Sequence, residues 1–266
     1  MPQVVATNVS SLNAQRNLTK SGGELATSLQ RLSSGLRINS AKDDAAGLQI
    51  SNQLTSQIRG MTVAARNASD GISFAQVAEG ALNEIGNIMQ RMRELAVQSA
   101  NGTNGASERA ALNSEFSALQ SEITRIGSDT RFGNTTVFGG TAFSLQVGDQ
   151  AGDTDITVSA LTAPSVAGDI STSTNAQTAL TTLTTAITGV DTTRGTLGAI
   201  QSRLESTIAN SQSIVENASA ARSRVRDTDF ATETANLTRA QILQQAGISV
   251  LSQANAIPQS VLSLLQ

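Results

Sequence analysis

LTSQIRGMTVAARNASDGISFAQVAEGALNEIGNIMQRMRELA, residues 54–96, carries the pattern that decides the fold class. Leu54, Ile58, Met61, Ala65, Ala68, Ile72 and Ala75 advance in alternating steps of four and three residues. The pattern then restarts one position early, at Ala78, Leu82, Ile85, Met89, Met92 and Ala96. Such spacing is that of a helical coiled-coil seam, and the early restart predicts a local break in its phase. The NGTNG at 101–105 stops the helix, because Asn-Gly pairs favour turns.

Working outward, Leu112, Phe116, Leu119, Ile123 and Ile126 continue the same steps in a following helix. On the other side, NSAKDDAAGL (39–48) offers Ser40 as a cap with Asp43 three positions on, a capping-box arrangement. Upstream, Val5, Val9, Leu12, Leu18, Leu25, Leu29, Leu32 and Leu36 form an amphipathic N-terminal arm. Gly22-Gly23 and Gly35 predict interruptions in it. After residue 130 the period changes. In TRFGNTTVFGGTAFSLQVG (130–148), β-branched and aromatic residues flank Gly139-Gly140, which reads as a hairpin turning on the two glycines. Residues 141–188 are rich in Thr, Ser, Gly and Asp; helical spacing returns near Ala179 and runs through Leu197, Leu204, Ile208, Val215, Ala218, Arg222 and Val225. The fold class is therefore mainly α: a long-helix coiled-coil bundle of N- and C-terminal arms, with a β-hairpin and a small polar insert.

Composition narrows the function classes. The chain of 266 residues has no Cys, His, Trp or Tyr and a net charge of −3. Without Cys there are no disulfides and no thiolate metal ligands. The Lys and Arg residues are dispersed, which argues against a nucleic-acid surface. No acid, base and nucleophile are arranged by a motif, and no phosphate-binding loop or metal spacing occurs, so neither catalysis nor a cofactor is expected. No basic and apolar leader opens the chain, and no stretch has the apolar length of a membrane span.

The C-terminal segment Ala240–Gln266 contains no Asp, Glu, Lys or Arg over 27 residues. On a helix it presents two apolar stripes. One runs through Leu243, Ala246, Val250, Ala254, Ile257, Val261 and Leu264, the other through Ile248, Leu251, Leu262 and Leu265. One partner helix covers one stripe, so two stripes need two neighbours. Alone, the segment is expected to be disordered and to order only on association, because the entropy of fixing it matches or exceeds what its apolar burial returns. A partner protein or many copies of the same tail would each supply the missing surfaces.

At both ends the residues resemble bacterial flagellins. LQRLSSGLRINSAKDDAAGLQIS lies in the N-terminal arm, RMRELAVQSANGTNG in the long helix, and RDTDFATETANLTRAQILQQAGISVLSQAN in the C-terminal arm. The resemblance covers roughly 1–140 and 190–266. It implies a structural subunit that self-assembles into the helical flagellar filament, with a hook–filament junction protein as the alternative. It implies an inner coiled-coil domain from 1–39 with 229–266, a helical rod from 40–140 with 179–228, and a variable outer insert at 141–178. Subunit packing would then fall to Leu29, Leu32, Leu36, Leu243, Ala246, Val250, Leu251, Ala254, Ile257, Val261, Leu262 and Leu265. It further implies type III export to the cell exterior and, as partners, an export chaperone, a cap and junction proteins. The positions matching the Toll-like receptor surface of flagellins are Arg91, Leu95 and Glu115. The Ser/Thr-rich run 171–188 reads as a solvated loop entering a threonine-tolerant helix, or as a glycosylated surface.

Overall fold

The structure is a computed structural model and describes residues 7–150 and 155–263, with side chains to 256 at the C-terminal end. Its elements are, in order, α1 (Val9–Ser34), α2 (Ala45–Ala100), α3 (Ala106–Asp129), β1 (Arg131–Phe132), β2 (Thr135–Thr136), β3 (Phe143–Leu145), β4 (Ile156–Val158), α4 (Ser173–Arg226) and α5 (Phe230–Ser263). Internal packing divides the chain into two units. One joins the residues up to Ser56 with those from Ala218 onward, and the other is Gln57–Asn217.

In the first unit α1 and α5 lie side by side. Asn8 caps α1, its Oδ1 accepting from Ser11 N at 3.1 Å, and Gly35 ends it with φ 71°. Contrary to the sequence expectation, Gly22-Gly23 does not interrupt α1. Glycine weakens a helix by ~1 kcal/mol, and here the packing of α5 along the helix outweighs that local cost. Asp229 starts α5 by accepting from Ala231 N at 2.9 Å and from Thr232 Oγ1 at 2.8 Å. The expected Ser40 cap is also corrected. Asp43 Oδ2 does accept from Ser40 N and Oγ, but this closes an isolated turn. Asp44, one residue later, caps α2 by accepting from Gly47 N at 2.8 Å.

The second unit is built on the seams of α2 and α4. Met61, Ala64, Ala68, Gly71, Ala75, Ala78, Leu82, Ile85, Met89, Met92, Ala96 and Ser99 are all buried. Their steps alternate three and four without interruption, so the phase break expected from the sequence is absent. The difference lies at Ala64 and Gly71, which face inward where Ala65 and Ile72 were expected. Small residues are inside because large ones arrive opposite them: Leu145 and Leu204 pack on the bare backbone of Gly71. On α4 the buried positions recur every seven residues at Ala176, Leu183, Val190, Leu197 and Leu204. Phe116 and Ile123 of α3 enter the same core.

The hairpin is where the sequence placed it in the chain, but not on the expected turn. β1 pairs antiparallel with β2, Arg131 opposite Thr136 and Phe132 opposite Thr135. The turn is therefore Gly133-Asn134, with Gly133 at φ 58°, a conformation that glycine adopts without penalty. Past Gly139-Gly140 the chain runs into β3, which pairs antiparallel with β4 in the register Phe143–Val158, Ser144–Thr157 and Leu145–Ile156. Burial decides this pairing, since Ile156 and Val158 of β4 join the helix core. Val147, Leu161, Val166 and Ile170 join it too, so the polar segment shares its core with the helices. Phe74 meets Phe132 and Phe143 edge-on, with centroids 5.9 and 4.7 Å apart. Helix α4 begins at Ser173, six residues before the expected return at Ala179. Its threonines turn their hydroxyls onto carbonyls four residues back, as Thr181, Thr185, Thr188 and Thr192 do, which satisfies them within the helix.

Candidate assembly surface

The α1–α5 seam uses residues that the two apolar stripes of the tail did not mark. Along α5 the inward positions are Glu233, Leu237, Ala240, Gln244, Gly247, Leu251 and Ala254. Along α1 they are Ser11, Ala14, Leu18, Ser21, Leu25 and Ser28. The pairing is antiparallel: Asn8 Nδ2 donates to Ala254 O at 2.8 Å at one end, and Ser28 Oγ donates to Glu233 Oε1 at 2.5 Å at the other. Between them Leu18 packs on Gly247. Within one chain α5 lies on α1 as a helix through the charge-free segment as far as Ser263. Serines, alanines and glycine let the helix backbones approach closely.

What α1 does not cover is the apolar surface. Val9, Leu12 and Leu29 of α1 and Phe230, Ile242, Leu243, Ile248 and Val250 of α5 are all exposed, between 48 and 62 %. Isolated exposed leucines are ordinary, but so many on one helix pair mark an interaction surface. Of the residues expected to pack subunits, Leu29, Leu243, Ala246 and Val250 are exposed, whereas Leu32, Leu36 and Leu251 are half-buried. Ala254 is buried against α1. Ile257, Val261, Leu262 and Leu265 lie outside the described side chains. Phe230 and Ile242 were missed by sequence reasoning. Phe230 follows the capping Asp229, and Ile242 adjoins Leu243 outside both marked stripes.

In the second unit the structure brings together two of the three residues expected to form a receptor surface. The Arg91 guanidinium donates to Glu115 Oε1 from Nε and Nη2 at 3.0 and 2.9 Å, and to Glu94 Oε2 from Nη1 at 2.9 Å. These carboxylates, Glu115 foremost, raise the Arg91 pKa above its ordinary value. Leu95 does not share this surface. It is 1 % exposed and belongs to the helix core, one turn along α2 from Arg91. Among the described residues no group of His, Cys, Asp and Glu is placed to hold a metal ion, and no helix is long and apolar enough to cross a membrane.

Comparison with known proteins decides what a surface of this kind belongs to. Residues 5–142 match the family model of the bacterial flagellin N-terminal helical region, and residues 180–265 match that of the bacterial flagellin C-terminal helical region. The chain belongs to the bacterial flagellin family. Flagellin of Halalkalibacterium halodurans is 45% identical over 271 residues, covering 99% of this chain and all of that one. Flagellin A of Vibrio cholerae is 39% identical over 375 aligned residues, covering 98% of this chain and 99% of the relative. That alignment is longer than this flagellin itself. The crystal structure of Bacillus cereus flagellin superposes with a TM-score of 0.51 at 32% identity, over 55% of this chain and 88% of that one. This flagellin is accordingly a structural subunit of the flagellar filament, which drives motility, and not an enzyme. The relatives named flagellin across nearly the whole chain do not favour a hook–filament junction protein.

Proposed function

We propose that the apolar residues left bare on α1 and α5 are the surface that neighbouring subunits close over in the filament. The observation that carries this reading is the combination of a 27-residue segment without charge and exposed Ile242, Leu243, Ile248 and Val250 upon it. Burial of a large aliphatic side chain contributes ~1.5–3 kcal/mol, so each subunit added to a growing end gains substantially from covering this surface. In this reading 1–39 and 229–266 form the inner coiled coil, with Leu29, Leu243, Ala246 and Val250 packing between subunits. Ile257, Val261, Leu262 and Leu265 extend that role toward the C-terminus. Residues 40–140 and 179–228 form the rod, and 141–178 the outward segment.

The same reading places the filament outside the cell, reached by type III export. An export chaperone would shield the C-terminal apolar surface before assembly, and cap and junction proteins would meet it at the filament's ends. Recognition of the monomer by a Toll-like receptor would use the exposed Arg91–Glu115 pair, with Leu95 supporting it from within the core.

The test compares the full chain with a truncation lacking Ala240–Gln266, each depolymerised, returned to assembly conditions with filament seeds, pelleted and imaged by electron microscopy. Filaments from the full chain alone support the assignment. Equal polymerisation of the truncation would move the lattice contacts to the rod and overturn it.

A further inference from the structure

The α1–α5 seam repeats every seven residues on both helices, and this raises the question of what selects its alignment. On α1 the buried small residues Ala14, Ser21 and Ser28 recur at seven, and Leu18 and Leu25 recur between them. On α5 the series is Glu233, Ala240, Gly247 and Ala254. Sliding one helix by seven residues, about 10 Å at 1.5 Å per residue, therefore places similar side chains opposite one another. A repetitive apolar seam of small residues discriminates poorly between such alignments, and a single buried polar group is the device best attested for choosing one.

Glu233 is the one buried charged residue among those described, 7 % exposed at a seam position. Its carboxylate accepts from Ser28 Oγ at 2.5 Å and faces Arg31 Nη1 at 3.7 Å. A slip of one heptad in one direction replaces Ser28 by Ser21, another hydroxyl, but replaces Arg31 by Glu24, a like charge. A slip in the other direction carries Glu233 past the end of α1 at Ser34. The Leu18–Gly247 contact discriminates less, because a Cβ at 247 would stand 3.3 Å from Leu18 Cδ1, close enough for a small adjustment to admit the Ala240 that a slip brings there.

We infer that the Ser28–Glu233–Arg31 cluster is the register lock of the terminal helix pair: it selects one alignment of α1 with α5 out of several that the seam would otherwise accept. Register in turn sets where Leu12 and Leu29 stand relative to Ile242, Leu243 and Val250. A slipped pair would present the same residues in a pattern displaced by about 10 Å. This last consequence rests on the assembly reading above. The lock itself does not, since it acts within one chain.

The chain lacks cysteine, so spin labels at Thr27→Cys and Gln253→Cys, both exposed and near opposite ends of the helix pair, have a separation that runs along its axis and reports register directly in the full-length protein. The parent should give one narrow inter-label distance. Glu233→Leu supplies an apolar seam residue in place of a buried charge, a change that tends to preserve or strengthen pairing; it should give a second population displaced by about 10 Å. Glu233→Gln, which keeps an acceptor for Ser28, should hold most molecules at the parent distance. A single parental distance in Glu233→Leu overturns the lock. So does a broad, unpaired distribution in the parent or in Glu233→Leu, which would make the carboxylate a determinant of pairing or leave no register to select. Electron microscopy of the same variants reads assembly separately, so a chain with parental register that fails to polymerise counts against the assembly reading and not against the lock.

Discussion

A Cβ on Gly71 would stand 2.4 Å from Leu145 Cδ1, so the leucine of β3 occupies the space that any other residue at position 71 would need. Leu204 Cδ1 of α4 closes the same gap at 3.2 Å. One glycine in the middle of a 56-residue helix is thus the meeting point of three elements.

Gly71→Ala should destabilise the rod unit even though alanine is the better helix former. Overpacking a filled core costs ~1–3 kcal/mol, which exceeds the ~1 kcal/mol of helix propensity gained. Gly80→Ala and Gly86→Ala, where nothing lies within 4 Å of the new methyl, should each stabilise by up to ~1 kcal/mol. Urea unfolding followed by helical circular dichroism distinguishes the three. Stabilisation by Gly71→Ala would mean that Leu145 is free to move away.

Leu95→Ala should cost ~2–5 kcal/mol, the range for truncating a buried leucine. Arg91→Ala and Glu115→Ala should each cost far less than Leu95→Ala, because their ion pair is exposed and screened. A receptor assay on these variants is therefore informative at Arg91 and Glu115. At Leu95 it must be read beside the unfolding curve, since a lost response and a lost core share one cause.

Ser211 and Ser99 are both buried, yet alanine should have opposite effects at the two sites. Ser99 Oγ donates to Ile170 O, and removing it strands a buried carbonyl at a cost of ~1–3 kcal/mol. Ser211 Oγ has no hydrogen-bond partner among the described residues, so Ser211→Ala should be neutral or stabilising by ~1 kcal/mol. Thermal unfolding of the two variants side by side checks the contrast.

Acid should weaken the start of α5. Thr232 Oγ1, followed by the backbone N–H groups of Ala231 and Thr232, lowers the Asp229 pKa below the ordinary aspartate value. The stabilisation is therefore complete above about pH 4, the unfolded aspartate pKa, and declines as pH falls toward the lower folded value. Asp229→Asn retains a side-chain oxygen for capping and should flatten this part of the profile. Helicity and melting temperature measured from pH 7 to pH 2.5 give the comparison. An unchanged profile in Asp229→Asn would assign the acid sensitivity to other carboxylates.

How much of this was legible beforehand depends on how local each feature is. The seam through Leu82, Ile85, Met89 and Met92 was legible because helical periodicity is a property of neighbouring residues, and the structure buries all four. Turn chemistry was only half legible: Gly133-Asn134 and Gly139-Gly140 both permit a reversal, but the strand after Gly139-Gly140 pairs with the distant β4, whose Ile156 and Val158 join the core, and nothing local to the glycines announces that partner. Asp43 and Asp44 posed the same ambiguity one residue apart.

The sequence by itself determined the helical class, the charge-free C-terminal segment and, through its terminal motifs, the family. All three follow from residue identity and spacing along the chain. Only the tertiary structure decided that Gly71 faces inward and Ile72 does not, that Leu95 is buried in the helix core while Arg91 and Glu115 pair at the surface, and that the covered side of α5 is the one carrying Glu233 and Gly247. Those outcomes depend on what a distant segment brings to the contact. A periodicity of 3.6 residues states that a face exists, and the shape and charge of the partner state which face it is.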